Sequence, residues 1–106
     1  MTDESKKELK RQYRSDVEVV KDVLRDWDPI GVIPELLARG LPPSEYDSYA
    51  PHILGMLQRG CGVEEVADHL EFTCEEPMGL GRRTPLSMAH NAKIAADLVA
   101  WWKSKQ

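Results

Sequence analysis

No apolar run in this chain approaches the roughly 18–20 residues that a bilayer crossing needs. The opening Met1-Thr2-Asp3-Glu4-Ser5-Lys6-Lys7 has no apolar stretch behind it that would read as a secretory signal. Membrane residence is set aside, and a cytoplasmic protein is expected. Cysteine is scarce, with Cys61 and Cys74 only. The segment between them reads as helix, which at about 1.5 Å per residue separates their Cα atoms by roughly 19 Å, whereas a disulfide needs less than about 7 Å. Free thiols fit a reducing compartment. No segment alternates apolar and polar residues as a half-buried strand does, and no internal repeat is visible. C-x-x-C, H-E-x-x-H and complete P-loop patterns are missing. No metal and no cofactor are therefore expected. Basic residues are concentrated at the ends of the chain and form no known nucleic-acid motif, so nucleic acid is not an expected partner.

What is present is helical periodicity and an uneven charge. At 106 residues the chain is one domain, 1–106, with a fraying lead over about residues 1–8. The formal net charge is −4. Residues 26–80 hold two basic and eleven acidic side chains, a net of −9, between ends of +1 and +4. An acidic field of this kind repels phosphate backbones and draws basic partners.

The chain divides into helices at its prolines and glycines. Leu9, Tyr13, Val17, Val20, Leu24 and Trp27 recur in steps of three and four, one face of a first helix over residues 2–26. Pro29 ends it, and Asp28-Pro29-Ile30-Gly31 fits a type I turn. Trp27 is expected to point inward, its indole N–H seeking Asp47 or a turn carbonyl. Pro34 to Gly40 forms one or two helical turns, with Pro34 near the start and Gly40 as the stop. The next helix is entered through Glu45-Tyr46-Asp47-Ser48-Tyr49, with Asp47 or Ser48 as N-cap and Pro51 in the first turn. Its core stripe is Ile53, Leu54 and Leu57, and Gly60 ends it. A helix over about 63–74 buries Val63, Val66, Ala67, Leu70 and either Phe72 or Cys74. The last helix starts at Thr84 as N-cap and Pro85 as first residue, burying Met88, Ala92, Ala95, Val99 and Trp102, with Ile94, Leu98 and Trp101 widening the face. Trp101 and Trp102 stand about 100° apart. One is expected in the core and the other partly exposed, an anchor for a partner or a homodimer.

Four constellations carry chemistry if any does. Asp26, Asp28, Glu45 and Asp47 stand near Tyr46, Tyr49 and His52, a set that could do acid–base work or hold a hard cation. Each of Asp28 and Asp47 also has a local backbone task, as turn and cap residue, and that reading is preferred. Cys61, Glu65, His69 and Cys74 lack zinc-site spacing. Gly79-Leu80-Gly81-Arg82-Arg83-Thr84 opens a helix and could cradle an anion through Arg82 and Arg83. The fourth is the Trp101-Trp102 pair.

The blocks Asp26-Trp27-Asp28-Pro29-Ile30-Gly31-Val32 and Glu45-Tyr46-Asp47-Ser48-Tyr49-Ala50-Pro51, with His69-Leu70 and Met78-Gly79-Leu80, resemble the YugE-like family of small bacterial proteins of unknown function. The resemblance spans about residues 16–102. It implies a compact helical domain and no activity, so no catalytic residue comes with it.

These readings converge on an all-α domain, a bundle of about four helices plus a short helical turn. The expected function is a non-enzymatic interaction module, regulatory or immunity-type, that presents an acidic, Tyr-rich surface to a basic protein. The candidate binding residues are Asp28, Glu45, Tyr46, Asp47, Tyr49, His52, Arg82 and Arg83. The alternative is a small-ligand binder or minor enzyme built on the Asp28, Asp47 and His52 region and the Arg82-Arg83 loop.

Overall fold

A computed structural model of the chain describes residues 3–28, 31, 33–75 and 84–105. It is all-α: α1 (Asp3–Trp27), α2 (Ile33–Ala38), a 3-10 turn (Asp47–Tyr49), α3 (Ala50–Gln58), α4 (Val63–Glu75) and α5 (Pro85–Ser104). No strand occurs among the described residues, and none of their helices is long and apolar enough to cross a membrane. Four longer helices and one short one match the expected bundle.

The punctuation read from the sequence holds at four places. Thr84 caps α5 in a full capping box. Its hydroxyl accepts from the Ser87 N–H at 3.1 Å, the Ser87 hydroxyl accepts from the Thr84 N–H at 3.0 Å, and Pro85 follows at the first helical position. Gly40 and Gly60 end α2 and α3 with φ of +71° and +85°. Each closes a paired Schellman motif: Leu41 N–H to Leu36 O at 2.9 Å with Gly40 N–H to Leu37 O at 3.1 Å, and Cys61 N–H to Met56 O with Gly60 N–H to Leu57 O, both at 3.0 Å. The Asp28 turn closes as expected, Gly31 donating its N–H to Asp28 O at 3.1 Å.

One core holds the bundle together. It is built from Val17, Val20, Leu24 and Trp27 of α1, Ile33 of α2, Tyr46, the α3 side chains Ala50, Ile53, Leu54, Met56 and Leu57, Val66 and Leu70 of α4, and Ile94, Ala95, Leu98 and Val99 of α5. α4 packs mainly on α5, and α1 on α3 and α5. α1 and α5 run antiparallel, since Trp27 meets Asn91 at one end and Asp16 meets Lys105 at the other.

Four expectations about burial and capping are corrected. The α1 stripe is buried only from Val17 onward, while Leu9 and Tyr13 are 55 % and 44 % exposed. α1 is longer than the body it packs on, and α5 reaches only as far as Asp16, so residues 3–15 project as an arm. The radius of gyration, 15.0 Å, exceeds the roughly 13 Å of a compact chain of this length. In α5 the buried face is Asn91, Ile94, Ala95, Leu98 and Val99, and Met88 and Ala92 face solvent. In α4, Val63 is exposed rather than buried, while of the two alternatives Phe72 and Cys74 it is Cys74 that turns toward the core, as expected, and Phe72 that is exposed. Neither Asp47 nor Ser48 caps a helix by its side chain. The chain enters α3 through the 3-10 turn, whose first N–H, that of Asp47, is taken by Ser44 O at 3.2 Å.

Candidate functional site

The two sequence blocks that stood out meet in space. Asp28 is held at φ +32°, a left-handed conformation that Asp tolerates better than most residues. That turn aims its carboxylate back into the fold. One oxygen accepts the Tyr46 hydroxyl at 2.5 Å and the other accepts the Ile33 N–H at 3.2 Å. A phenol donating to a carboxylate over so short a distance is a charge-assisted bond, about twice as strong as a neutral one. Tyr46 is fully buried, and its ring lies 5.6 Å from that of Trp27 at 58°, a tilted aromatic pair.

Trp27 ties this junction to α5. Its indole N–H donates to Asn91 Oδ1 at 2.7 Å, not to Asp47 or a turn carbonyl as expected. Asn91 is buried, and the sequence reading missed it. The available signal was its spacing, three and four residues before Ile94 and Ala95, together with the need of a buried indole for an acceptor. His90 Nε2 lies 2.6 Å from Trp27 O. A carbonyl only accepts, so this nitrogen carries the proton and donates.

Asp47 has a different partner. Arg25 Nη2 donates to Asp47 Oδ2 at 3.1 Å in a half-buried ion pair between α1 and the 3-10 turn. The contact is single-pronged. Arg25 Nε and Asp47 Oδ1 are buried without a hydrogen-bond partner, which makes the pair weaker than a two-pronged one.

The remaining candidates are spread apart. Glu45 is exposed and Tyr49 is half-buried against the core. His52 is exposed, and its ring stacks on His69 of α4 at 4.4 Å and 31°, away from any carboxylate bond. Burial, and secondarily the neighbouring His52, hold His69 below the ordinary imidazole value. Cys61 is partly buried, and burial first, then Glu65 beside it, push its thiol up. A thiol so placed is a poor nucleophile at neutral pH. Cys61 and Cys74 are not joined in a disulfide. Among the described residues no group of three or more His, Cys, Asp or Glu could hold a metal ion. Arg82 and Arg83, with the glycine-rich loop before them, lie outside the described residues.

Trp101 and Trp102 depart from the one-in, one-out expectation. Both are half-buried against the core, with rings 5.9 Å apart, and Lys105 Nζ stands 5.1 Å from each centroid while it pairs with the buried Asp16. A cation over two indoles is favourable, and it closes this end of the bundle.

The surface with unspent charge is on α4. Glu64, Glu65 and Asp68 are exposed, and none of them forms an ion pair among the described residues. Phe72, one turn beyond Asp68, is 53 % exposed on the same face. An exposed phenylalanine on the same helix face as three carboxylates has no role in the core.

No family model, no curated protein and no solved structure matches this chain.

Proposed function

We propose that the chain is a non-enzymatic interaction module that offers an acidic surface to a basic protein. The observation that carries this reading is the outer face of α4, which Glu64, Glu65 and Asp68 share with the exposed Phe72. Interfaces combine an aromatic anchor with complementary charge at the rim. The carboxylates of the central junction support the same reading by what they already do. Asp28 is engaged by Tyr46 and Ile33, and Asp47 by Arg25, so these two serve the fold. Glu45 and His52 remain on the surface. Membership of the YugE-like family belongs to the same proposal. Its support is the resemblance carried by the two blocks around Asp28 and Tyr46, which the Asp28–Tyr46 bond brings together in the fold.

The test is retention of proteins from a native cell extract on the immobilised chain. A variant with Glu64→Gln, Glu65→Gln and Asp68→Asn serves as the control. Basic proteins held by the parent at low ionic strength, released by salt and not held by the variant, are the expected result. Equal retention by parent and variant would refute the assignment of this face.

A further inference from the structure

The arm of α1, residues 3–15, holds five basic and three acidic side chains, a net of +2, while the outer face of α4 presents Glu64, Glu65 and Asp68. Every residue from 3 to 15 is exposed. The arm nevertheless continues the register of the buried stripe, so Leu9 and Tyr13 form an apolar edge with nothing packed on it among the described residues. Lys6 and Lys10 stand three residues before Leu9 and Tyr13 and border that edge. On the side of the arm away from Leu9, Lys7, Arg11 and Arg14 line a concavity of about 210 Å³ with Lys10. Arg11 has an exposed partner in Glu8 at 3.6 Å, while Lys7, Lys10 and Arg14 form no ion pair among the described residues. On α4 the pattern is inverted: carboxylates at 64, 65 and 68 and an exposed aromatic at 72. At about 1.5 Å per residue, Lys6 to Tyr13 spans roughly 10 Å and Glu64 to Phe72 roughly 12 Å, so the two stripes are commensurate.

We propose that the arm of α1 docks on the outer face of α4 in a second copy of this chain. The inference rests on the reading of that face as an interface, and it names the basic partner. The arm cannot fold back onto its own α4 without breaking α1, because it is one helix with the buried half. A second copy supplies both surfaces in equal number. A reciprocal exchange, each arm on the other copy's α4, closes as a two-fold dimer. Leu9 and Tyr13 then meet Phe72 while Lys6, Lys10 and, at the rim, Arg14 meet Glu64, Glu65 and Asp68.

Sedimentation velocity of the full chain at low and high ionic strength tests this. The parent is expected to be a dimer that dissociates with salt. An arm variant (Lys6→Glu, Lys10→Glu, Arg14→Glu) and a face variant (Glu64→Lys, Glu65→Lys, Asp68→Lys) are each expected to be monomers, with unchanged helical circular dichroism because every altered position is exposed. An equimolar mixture of the two is expected to recover the dimer, since acidic arm then meets basic face and basic arm meets acidic face. A monomeric parent at low salt, or a dimer that survives in either variant alone, overturns the inference. If the parent is a monomer and the face variant alone loses basic proteins from extract, the proposed function stands and this inference falls. If the face variant changes neither property, both fall.

Discussion

Replacing Tyr46 by Phe removes one oxygen from the centre of the molecule and nothing else. The ring stays buried against Trp27, so no cavity larger than the hydroxyl forms. What is lost is the donor to Asp28 Oδ1 at 2.5 Å. A hydrogen bond to a charged group contributes about 1.5–3 kcal/mol. Asp28 is half-buried and keeps the Ile33 N–H, so the lower part of that range applies. The expected loss is about 1.5–2 kcal/mol, a fall in thermal midpoint on the order of 6–10 °C for a domain near 100 residues. Urea denaturation followed by circular dichroism, with an unchanged slope, measures it. A double-mutant cycle with Asp28→Ala then isolates the bond. The coupling energy should make up most of the single-mutant loss, because each substitution removes the same contact. A Tyr46→Phe variant within about 0.5 kcal/mol of the parent, the range of an ordinary surface change, would refute the claim that this bond locks the two sequence blocks together.

Trp27→Ala should cost about 3–5 kcal/mol by urea denaturation, because the ring is fully buried. Asn91→Leu should cost about 1–3 kcal/mol by the same assay, since it leaves the buried indole N–H without an acceptor; a neutral effect would mean the indole reaches water. Asp47→Asn and Asp47→Ala should destabilise alike, by about 1 kcal/mol or less, because both remove the charge that pairs with Arg25 and neither loses a cap bond. If Asn matched the parent and only Ala fell, capping would be the true role. His69 has a depressed pKa in the folded state, so the unfolded chain binds the proton more readily. The stability tied to His69 is therefore full above the unfolded value near 6.5 and is lost as pH falls through 6.5 and then through the lower folded value. Urea midpoints between pH 8 and about pH 5 should fall more steeply for the parent than for His69→Gln; parallel curves would show that burial and His52 do not perturb the ring.

Chain ends of helices and their turns were legible from residues alone because they are local. Thr84 and Pro85 start a helix, and Gly40 and Gly60 stop one, through backbone bonds that reach no further than five residues. The turn at Asp28 follows from Pro29 in the same way. The all-α class followed from apolar spacing, which every turn of helix repeats. Side-chain partners across long separations were not legible. Trp27 needed an acceptor, and the sequence could not say that Asn91, sixty-four residues away, supplies it. Asp47 had two uses, cap or ion pair, and only the placement of Arg25 beside it decided between them. Burial was misjudged where periodicity outran packing. Leu9 and Tyr13 keep the stripe's spacing, yet α5 stops at Asp16, and a stripe is a core only where something covers it. Phe72 shows the same limit in reverse: apolar by type, it falls on the carboxylate face because its helical angle, not its hydrophobicity, sets where it points. Local chemistry thus determined the elements, while the tertiary arrangement decided which carboxylates serve the fold and which stay on the surface.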